Sequence, residues 1–264
     1  MNIDTQRAGG EAAVLVTVDA TQGSAPREVG AWMVVYPSSC VGTIGGGHLE
    51  FDAMAEARRR ISGGGGDAVK RYALGPSLGQ CCGGAVLLRF EPITHAGVHA
   101  LHERLAARLA PLALFGGGHV GKALVNALSP LPFQVTWIDS RDEIFPLQVP
   151  PRVTCEHSDP VHGAVPGLAP GSRVLIMSFS HAQDLDVVGA CLLRLRDADD
   201  LPYVGMIGSK TKWATFRHRL QGRGFTQAEL ARITCPIGLP GITGKQPEVI
   251  AASVAAQILQ VAPP

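Results

Sequence analysis

The sequence predicts an α/β protein: an N-terminal α+β domain followed by a domain built on a parallel sheet. Three observations predict it. Strand-like runs crowd the first third of the chain, broken by a single helical stretch. From Pro111 onward, short apolar strands alternate with helix-length segments, the pattern of a parallel sheet covered on both faces. Glycine supplies 32 of the 264 residues and collects in runs beside those segments, where backbone must turn sharply or approach a ligand.

In order, "AAVLVTVDA" and "GAWMVVYP" are β-type runs bounded by turn residues. "HLEFDAMAEARRRISGGGG" reads as a helix stopped by glycines. "AVLLRFEP" is the next strand. "GVHALHERLAARLA" is an amphipathic helix with Val98, Leu101, Leu105 and Leu109 on one stripe. Then come the strands "LALF", "QVTWIDS", "RVTC", "RVLIMSF" and "YVGMIG". They alternate with the helices "HVGKALVNAL", "DLDVVGACLLRLRDA", "KTKWATFRHRL" and "PEVIAASVAAQILQ". The last helix opens on Pro247, a favourable first-turn residue. The expected layout is a domain over 1–95, a connecting helix over 96–110 and a second domain over 111–264.

Hydrophobic residues make up 46% and charged residues 17%, which marks a globular chain. A formal charge of +1 and 5% aromatics argue against a nucleic-acid surface. No apolar run reaches membrane-spanning length, and "MNIDTQRAGGEAAVLV" lacks the pattern of a signal peptide. A cytoplasmic protein with reduced thiols is the expectation.

Gly116-x-Gly118-x-x-Gly121 follows a strand and opens a helix, the context that gives this spacing meaning. Gly116 allows the turn, Gly118 lets a pyrophosphate approach and Gly121 lets helix and strand pack closely. Asp139 ends the next strand, placed to hold a ribose hydroxyl pair. The second domain is therefore expected to be Rossmann-like. An NAD(P)-dependent oxidoreductase is one reading of it; a crevice holding a pterin phosphate, or nothing, is another. His181 follows a strand end and reads either as an acid/base or as a plain helix-start residue.

In the first domain, Gly45, Gly46 and Gly47 precede His48 and Glu50. Such a run can form an amide nest for an oxyanion. "GSAPR" offers Gly23, Ser24 and Arg27, the last suited to phosphate or carboxylate. The six cysteines show no zinc spacing. Cys40, Cys155, Cys191 and Cys235 read as packed thiols. Cys81 and Cys82, flanked by glycines on both sides, point to opposite faces of an extended backbone; one is read as a cleft-facing thiolate that binds a soft metal or carries sulfur, with burial or a strained vicinal disulfide as the other readings.

Together "GSAPRE", "VGTIGGGHLE", "GQCCGG", "FGGGHVG", "YVGMIGSKTKWATFRHRL" and "CPIGLPGITGKQPEVIAASVAAQIL" resemble the XdhC/CoxI family over almost the whole chain. The resemblance implies an accessory chaperone without independent turnover. Such a protein binds the molybdenum cofactor in its molybdopterin form as cargo and supports its sulfuration. It then inserts the cofactor into apo xanthine dehydrogenase. The implied partners are that enzyme, a cysteine desulfurase and a second copy of the chain, with no nucleic acid and no membrane. The family's motif residues fall here on Gly23 to Arg27, Gly45 to Gly47 with Glu50, and Cys81 or Cys82. In the second domain they fall on Gly116, Gly118 and Gly121, on His181 with Asp184, and on Gly208-Ser209-Lys210. Cys82, directly before Gly83-Gly84, is the favoured molybdenum contact. Many relatives carry a Thr-His pair before the second histidine; this chain has Ser178-Phe179-Ser180-His181, so no paired-histidine metal site is expected there.

Overall fold

Two kinds of strand build two kinds of sheet. In the computed structural model, residues 12–74, 84–93 and 109–261 are described. The chain divides into two units, Met1–Glu103 and Arg104–Pro264.

The first unit contains β1 (Ala13–Gln22), β2 (Trp32–Val35), β3 (Cys40–Gly42), α1 (Gly47–Ile61), β4 (Val69–Ala73) and β5 (Ala85–Ile93). Among the described residues the strands pair antiparallel in the order β3-β2-β1-β5-β4. Leu49, Ala53 and Ala57 recur every four residues along α1 and are buried. They pack with Val14, Val16, Val18, Met33, Leu88 and Phe90 of the sheet. Small alanines bring the helix close to the strands, while large residues come from the sheet. Arg58, Arg59 and Arg60 crowd its last turn, where cations suit the helix dipole. Sequence reading missed β3 and β4. The first has only three residues, and "VKRYA" buries Tyr72 alone, so it shows no apolar alternation.

The second unit contains β6 (Ala110–Phe115), α2 (His119–Leu128), β7 (Phe133–Asp139), β8 (Val153–His157), β9 (Arg173–Ile176) and α3 (His181–Asp197). It continues with β10 (Tyr203–Met206), α4 (Lys210–Gly222), α5 (Gln227–Leu230), β11 (Ile233–Thr234) and α6 (Pro247–Leu259). All its described strands are parallel. Their order is β11-β10-β9-β6-β7-β8, the doubly wound arrangement that reverses between its first and fourth strands.

Alternation along β6 builds both faces. Leu112 and Leu114 pack with Leu124, Val125 and Leu128 of α2 and with Val254 and Ile258 of α6. Ala113 and Phe115 pack with Leu185, Val188 and Leu192 of α3. The fold class read from the sequence is the one observed. β6 begins at Ala110, the last residue of the stretch read as a connecting helix. Residues 96–108 of that stretch lie outside the described residues. Among the described residues no helix is long and apolar enough to cross a membrane.

Candidate functional sites and family

The first unit brings three predicted motifs to one end of its sheet. β1 runs out into Gly23, Ser24 and Arg27. Gly84, just before β5, lies against that exit: a Cβ on Gly84 would strike the Ser24 and Gln22 carbonyl oxygens. The Leu74 amide also donates to the Gly84 carbonyl, at 2.7 Å. The glycine run after β3 approaches from the other side, because a Cβ on Gly45 would fall on the Pro26 ring and lie 3.5 Å from Arg27 Cγ. Cys81 and Cys82 lie outside the described residues; the described chain resumes at Gly84 inside this cluster.

Gly45, Gly46 and Gly47 take φ values of 122°, 74° and 63°, a left-handed run that other residues adopt only with strain. The run turns amides inward as expected, but the anion they meet is the chain's own. Glu50 Oε2 accepts from Thr43 Oγ1 at 2.6 Å, Ile44 N at 3.0 Å and Gly46 N at 3.1 Å. Burial works to raise the Glu50 carboxyl. The Thr43 hydroxyl and the amides of Gly46, Ile44 and Gly45 outweigh it and hold the carboxyl below its ordinary value. Glu50 is thus an internal brace that fixes the loop and caps α1. No atom lies within 4 Å of where a Gly46 Cβ would stand, so the outer side of the loop is open. Arg27 holds Glu28 through Nε and Nη2 at 3.1 and 3.0 Å and reaches the Thr43 carbonyl at 3.4 Å. Its pair with Glu28 is exposed, a weak bond readily exchanged for another anion. His48 and Ser24 are exposed.

In the second unit the loop between β6 and α2 sits where the strand order reverses. Gly116 has φ 123°, and a Cβ there would strike the Met177 carbonyl after β9. A Cβ on Gly121 would strike the Gly116 carbonyl, which Trp137 Nε1 also engages at 2.9 Å. Gly118 faces open space at the start of α2. The three glycines therefore occupy the positions their spacing predicts.

Asp139 is another matter. It is 1% exposed. Its Oδ2 accepts from Gly117 N at 2.6 Å and Arg141 Nη2 at 3.0 Å; its Oδ1 accepts from Arg141 Nε at 2.9 Å and Arg141 N at 3.0 Å. Burial alone would raise this carboxyl; Arg141 and the Gly117 amide reverse that and hold it low. The group expected to meet a ribose is engaged instead in locking the glycine loop to the end of β7. The Arg141 guanidinium in turn lies 4.3 Å over the ring of Phe179, which is 66% exposed.

His181 is the first residue of α3, after the cap Ser180, whose side chain accepts from Gln183 N. It is exposed and meets Phe216 edge to face, ring centres 6.4 Å apart. That is the helix-start reading of the residue. Asp184, one turn later, is buried. Its Oδ1 accepts from Ser178 N at 2.7 Å and its Oδ2 from Lys212 Nζ at 2.6 Å, and Lys212 also donates to the Ile207 carbonyl at 3.0 Å. Gly208 and Ser209 start the helix that carries Lys212. A Cβ on Gly208 would lie 3.0 Å from Lys212 Cδ and 3.1 Å from Cys235 Sγ. Ser209 caps α4 by accepting from Lys212 N.

Of the cysteines read as packed, Cys191 is buried and Cys155 and Cys235 are half-buried. Burial pushes the Cys191 thiol up to about 12 and that of Cys235 up to about 11, the latter with a smaller opposing pull from Lys212. Cys40 corrects the expectation: it is exposed, because it opens the short edge strand β3. Among the described residues no group of three or more His, Cys, Asp or Glu side chains is arranged to hold a metal ion.

Two family models match the chain. The model of the XdhC and CoxI family covers residues 6–73, and that of the XdhC Rossmann domain covers residues 112–258, more than half of the sequence. The chain belongs to the XdhC/CoxI family. Its fold is similar over 98% of its length to a solved structure described as a xanthine dehydrogenase from Bacillus halodurans, with a TM-score of 0.78, 20% identity and 94% of that chain covered. It is also 30% identical over 254 residues, 91% of its length, to the uncharacterized protein YqeB of Escherichia coli strain K12. The chain spans 42% of that relative's length. For this XdhC/CoxI protein, sequence reasoning named Asp139 and Asp184 but not their cationic partners. The signals were present: Arg141 two residues after a strand-end aspartate, and Lys212 one turn beyond the Gly208-Ser209 cap.

Proposed function

We propose that this chain is a molybdenum cofactor-binding chaperone that supports cofactor sulfuration and insertion into xanthine dehydrogenase. Membership of the XdhC/CoxI family suggests a role in maturing that enzyme. The observation that carries the finer reading is the convergence of Gly23 to Arg27, Gly45 to Glu50 and Gly84 at one end of one sheet. The cargo is an anionic pterin phosphate with molybdenum on sulfur ligands. Such a group suits an open glycine loop at a helix start, an arginine in a weak pair, and thiols, which the sequence sets two and three residues before Gly84. Cys81 and Cys82 attach to Gly84 through Gly83, and Cys82 is the assigned contact to the metal. Apo xanthine dehydrogenase and a cysteine desulfurase are the proposed partners, with the cytoplasm as the setting and a homodimer as the assembly.

The test is reconstitution of apo xanthine dehydrogenase with cofactor, desulfurase and this chain. The reading expects cofactor to co-purify with the chain and Cys81→Ala/Cys82→Ala to cut reconstitution sharply. Full activity with the double variant removes the thiols from the mechanism. The alternative, an NAD(P)-dependent oxidoreductase, draws on Gly116, Gly118 and Gly121, but the engaged Asp139 weighs against it. Micromolar NAD(H) or NADP(H) binding by calorimetry would restore it.

A further inference from the structure

Arg27 is the cation of the first unit's candidate site, and its neighbour already occupies it. One Glu28 oxygen accepts from Arg27 Nε at 3.1 Å and the other from Nη2 at 3.0 Å. That is the two-point fork in which an arginine also holds a phosphate. Arg27 Nη1 donates to the Thr43 carbonyl at 3.4 Å, which tethers the guanidinium beside the glycine loop. The edge that an incoming anion needs is the edge that Glu28 covers.

The backbone holds Glu28 in place for this. Its carbonyl accepts from the Ala31 amide at 3.1 Å, and the Gly30 amide donates to the Val18 carbonyl at 2.8 Å, which pins the turn to the middle of β1. Tethered next to Arg27 in the chain, the carboxylate meets it at a high effective concentration. Yet both side chains are open to water, Arg27 37% and Glu28 70% exposed, a setting in which an ion pair is worth little. The donors can therefore be reached from solvent. A dissolved monoanion offers Arg27 nothing that Glu28 does not already supply. A phosphate dianion brings twice the charge to the same fork.

We propose that Glu28 is the resident anion of this site: the phosphate arm of an incoming ligand displaces its carboxylate from Arg27, and the return of that carboxylate expels the ligand at handover. The identity of the ligand, a phosphate monoester, rests on the cargo reading above; the exchange itself rests on the Arg27–Glu28 geometry. It is ion for ion, with no covalent bond made or broken. Arg27 keeps its charge, and the freed Glu28 carboxylate turns to water. Because that carboxylate stays beside the phosphate and competes for the same donors throughout, the site gives up depth of binding in favour of release.

In the full-length protein, Glu28→Gln removes the competitor and leaves Arg27 in place. Losing an exposed pair of this kind should tighten phosphate binding by about twofold to fivefold. Two readouts separate the exchange from the nature of the cargo. In protein carrying ¹⁵N-arginine, the Arg27 Nε–H signal, assigned through Arg27→Lys, should shift saturably with inorganic phosphate, and at lower concentration in Glu28→Gln. Retention of molybdenum cofactor on ultrafiltration should rise in Glu28→Gln by the same factor, and transfer to apo xanthine dehydrogenase should slow. In an Arg27→Ala background, Glu28→Gln should leave cofactor retention unchanged. The proposal is overturned by the absence of a phosphate shift at Arg27, by equal affinities in wild type and Glu28→Gln, or by a gain that persists without Arg27. Phosphate exchange as expected, with cofactor retained by no variant, supports the role of Glu28 and removes the cargo reading.

Discussion

Replacing Asp184 by alanine separates a binding role for this family-motif residue from a bracing one. Its carboxylate is 3% exposed and the Lys212 ammonium 13% exposed. Without the carboxylate, Lys212 keeps one acceptor, the Ile207 carbonyl, and the Ser178 amide loses its partner. Breaking a buried pair from one side costs about 3–5 kcal/mol. The orphaned amide alone costs about 1–3 kcal/mol, an overlapping penalty, since Lys212 can swing toward water in the variant. Taking about 3–5 kcal/mol and about 2–4 °C per kcal/mol for a domain of this size, the second unit should melt about 6–20 °C lower. Circular dichroism measures the midpoint, and hydrogen exchange in α3 and α4 localises the loss. Asp184→Leu with Lys212→Met removes both charges and should recover most of the stability. A drop under about 2 °C in Asp184→Ala, or a double variant as unstable as the single one, refutes the bracing role.

Glu50→Ala strips the acceptor from Thr43, Ile44 and Gly46 and should cost about 0.5–2 kcal/mol in urea unfolding of the first unit; an unchanged midpoint contradicts the brace. The Glu56 carboxyl is lowered from 4.5 to about 2, chiefly by Arg59. Its folded value lies below its unfolded one, so its contribution is complete above pH 4.5 and fades as the pH falls through 2. Glu56→Gln should therefore flatten the loss of stability across that window, as urea titrations at stepped pH will register. Gly121→Ala drives a Cβ onto the Gly116 carbonyl and should cost about 1–3 kcal/mol. The Trp137–Gly116 hydrogen bond reports the shift through tryptophan fluorescence, and an unaltered spectrum and midpoint would show that α2 is free to retreat.

Much of the second unit could be read from the sequence because its signals are local. α2 coincides with "HVGKALVNAL", bounded by Gly118 and by the change of period at Phe133. The glycine spacing carried its own geometry, since each glycine answers a steric demand a few residues away. β4 was hidden because an edge strand with one buried residue has no alternating pattern. β11 and α5 are too short to establish a period. The sites were legible as residue types and not as pairings. Nothing in "VGTIGGGHLE" says that Glu50 fills the nest its glycines make, and nothing in "IDSR" says that Arg141 turns back on Asp139. Those outcomes depend on competition between nearby partners in three dimensions. The same holds for Gly84 meeting Ser24, a contact across sixty residues of chain.

The Asp139–Arg141 lock also changes how an anion would arrive. A free carboxylate at the tip of β7 would repel a monoanion 10 Å away by about 0.4 kcal/mol in water at low salt. With Arg141 bound bidentately that local charge is cancelled. Encounter with a monoanion is then about twofold faster than with a bare aspartate, and with a dianion about fourfold faster. The advantage disappears once salt shortens the screening length below that distance. For the phosphorylated cargo proposed above, a mouth that does not repel it would act on capture rate and leave the depth of binding to the loops.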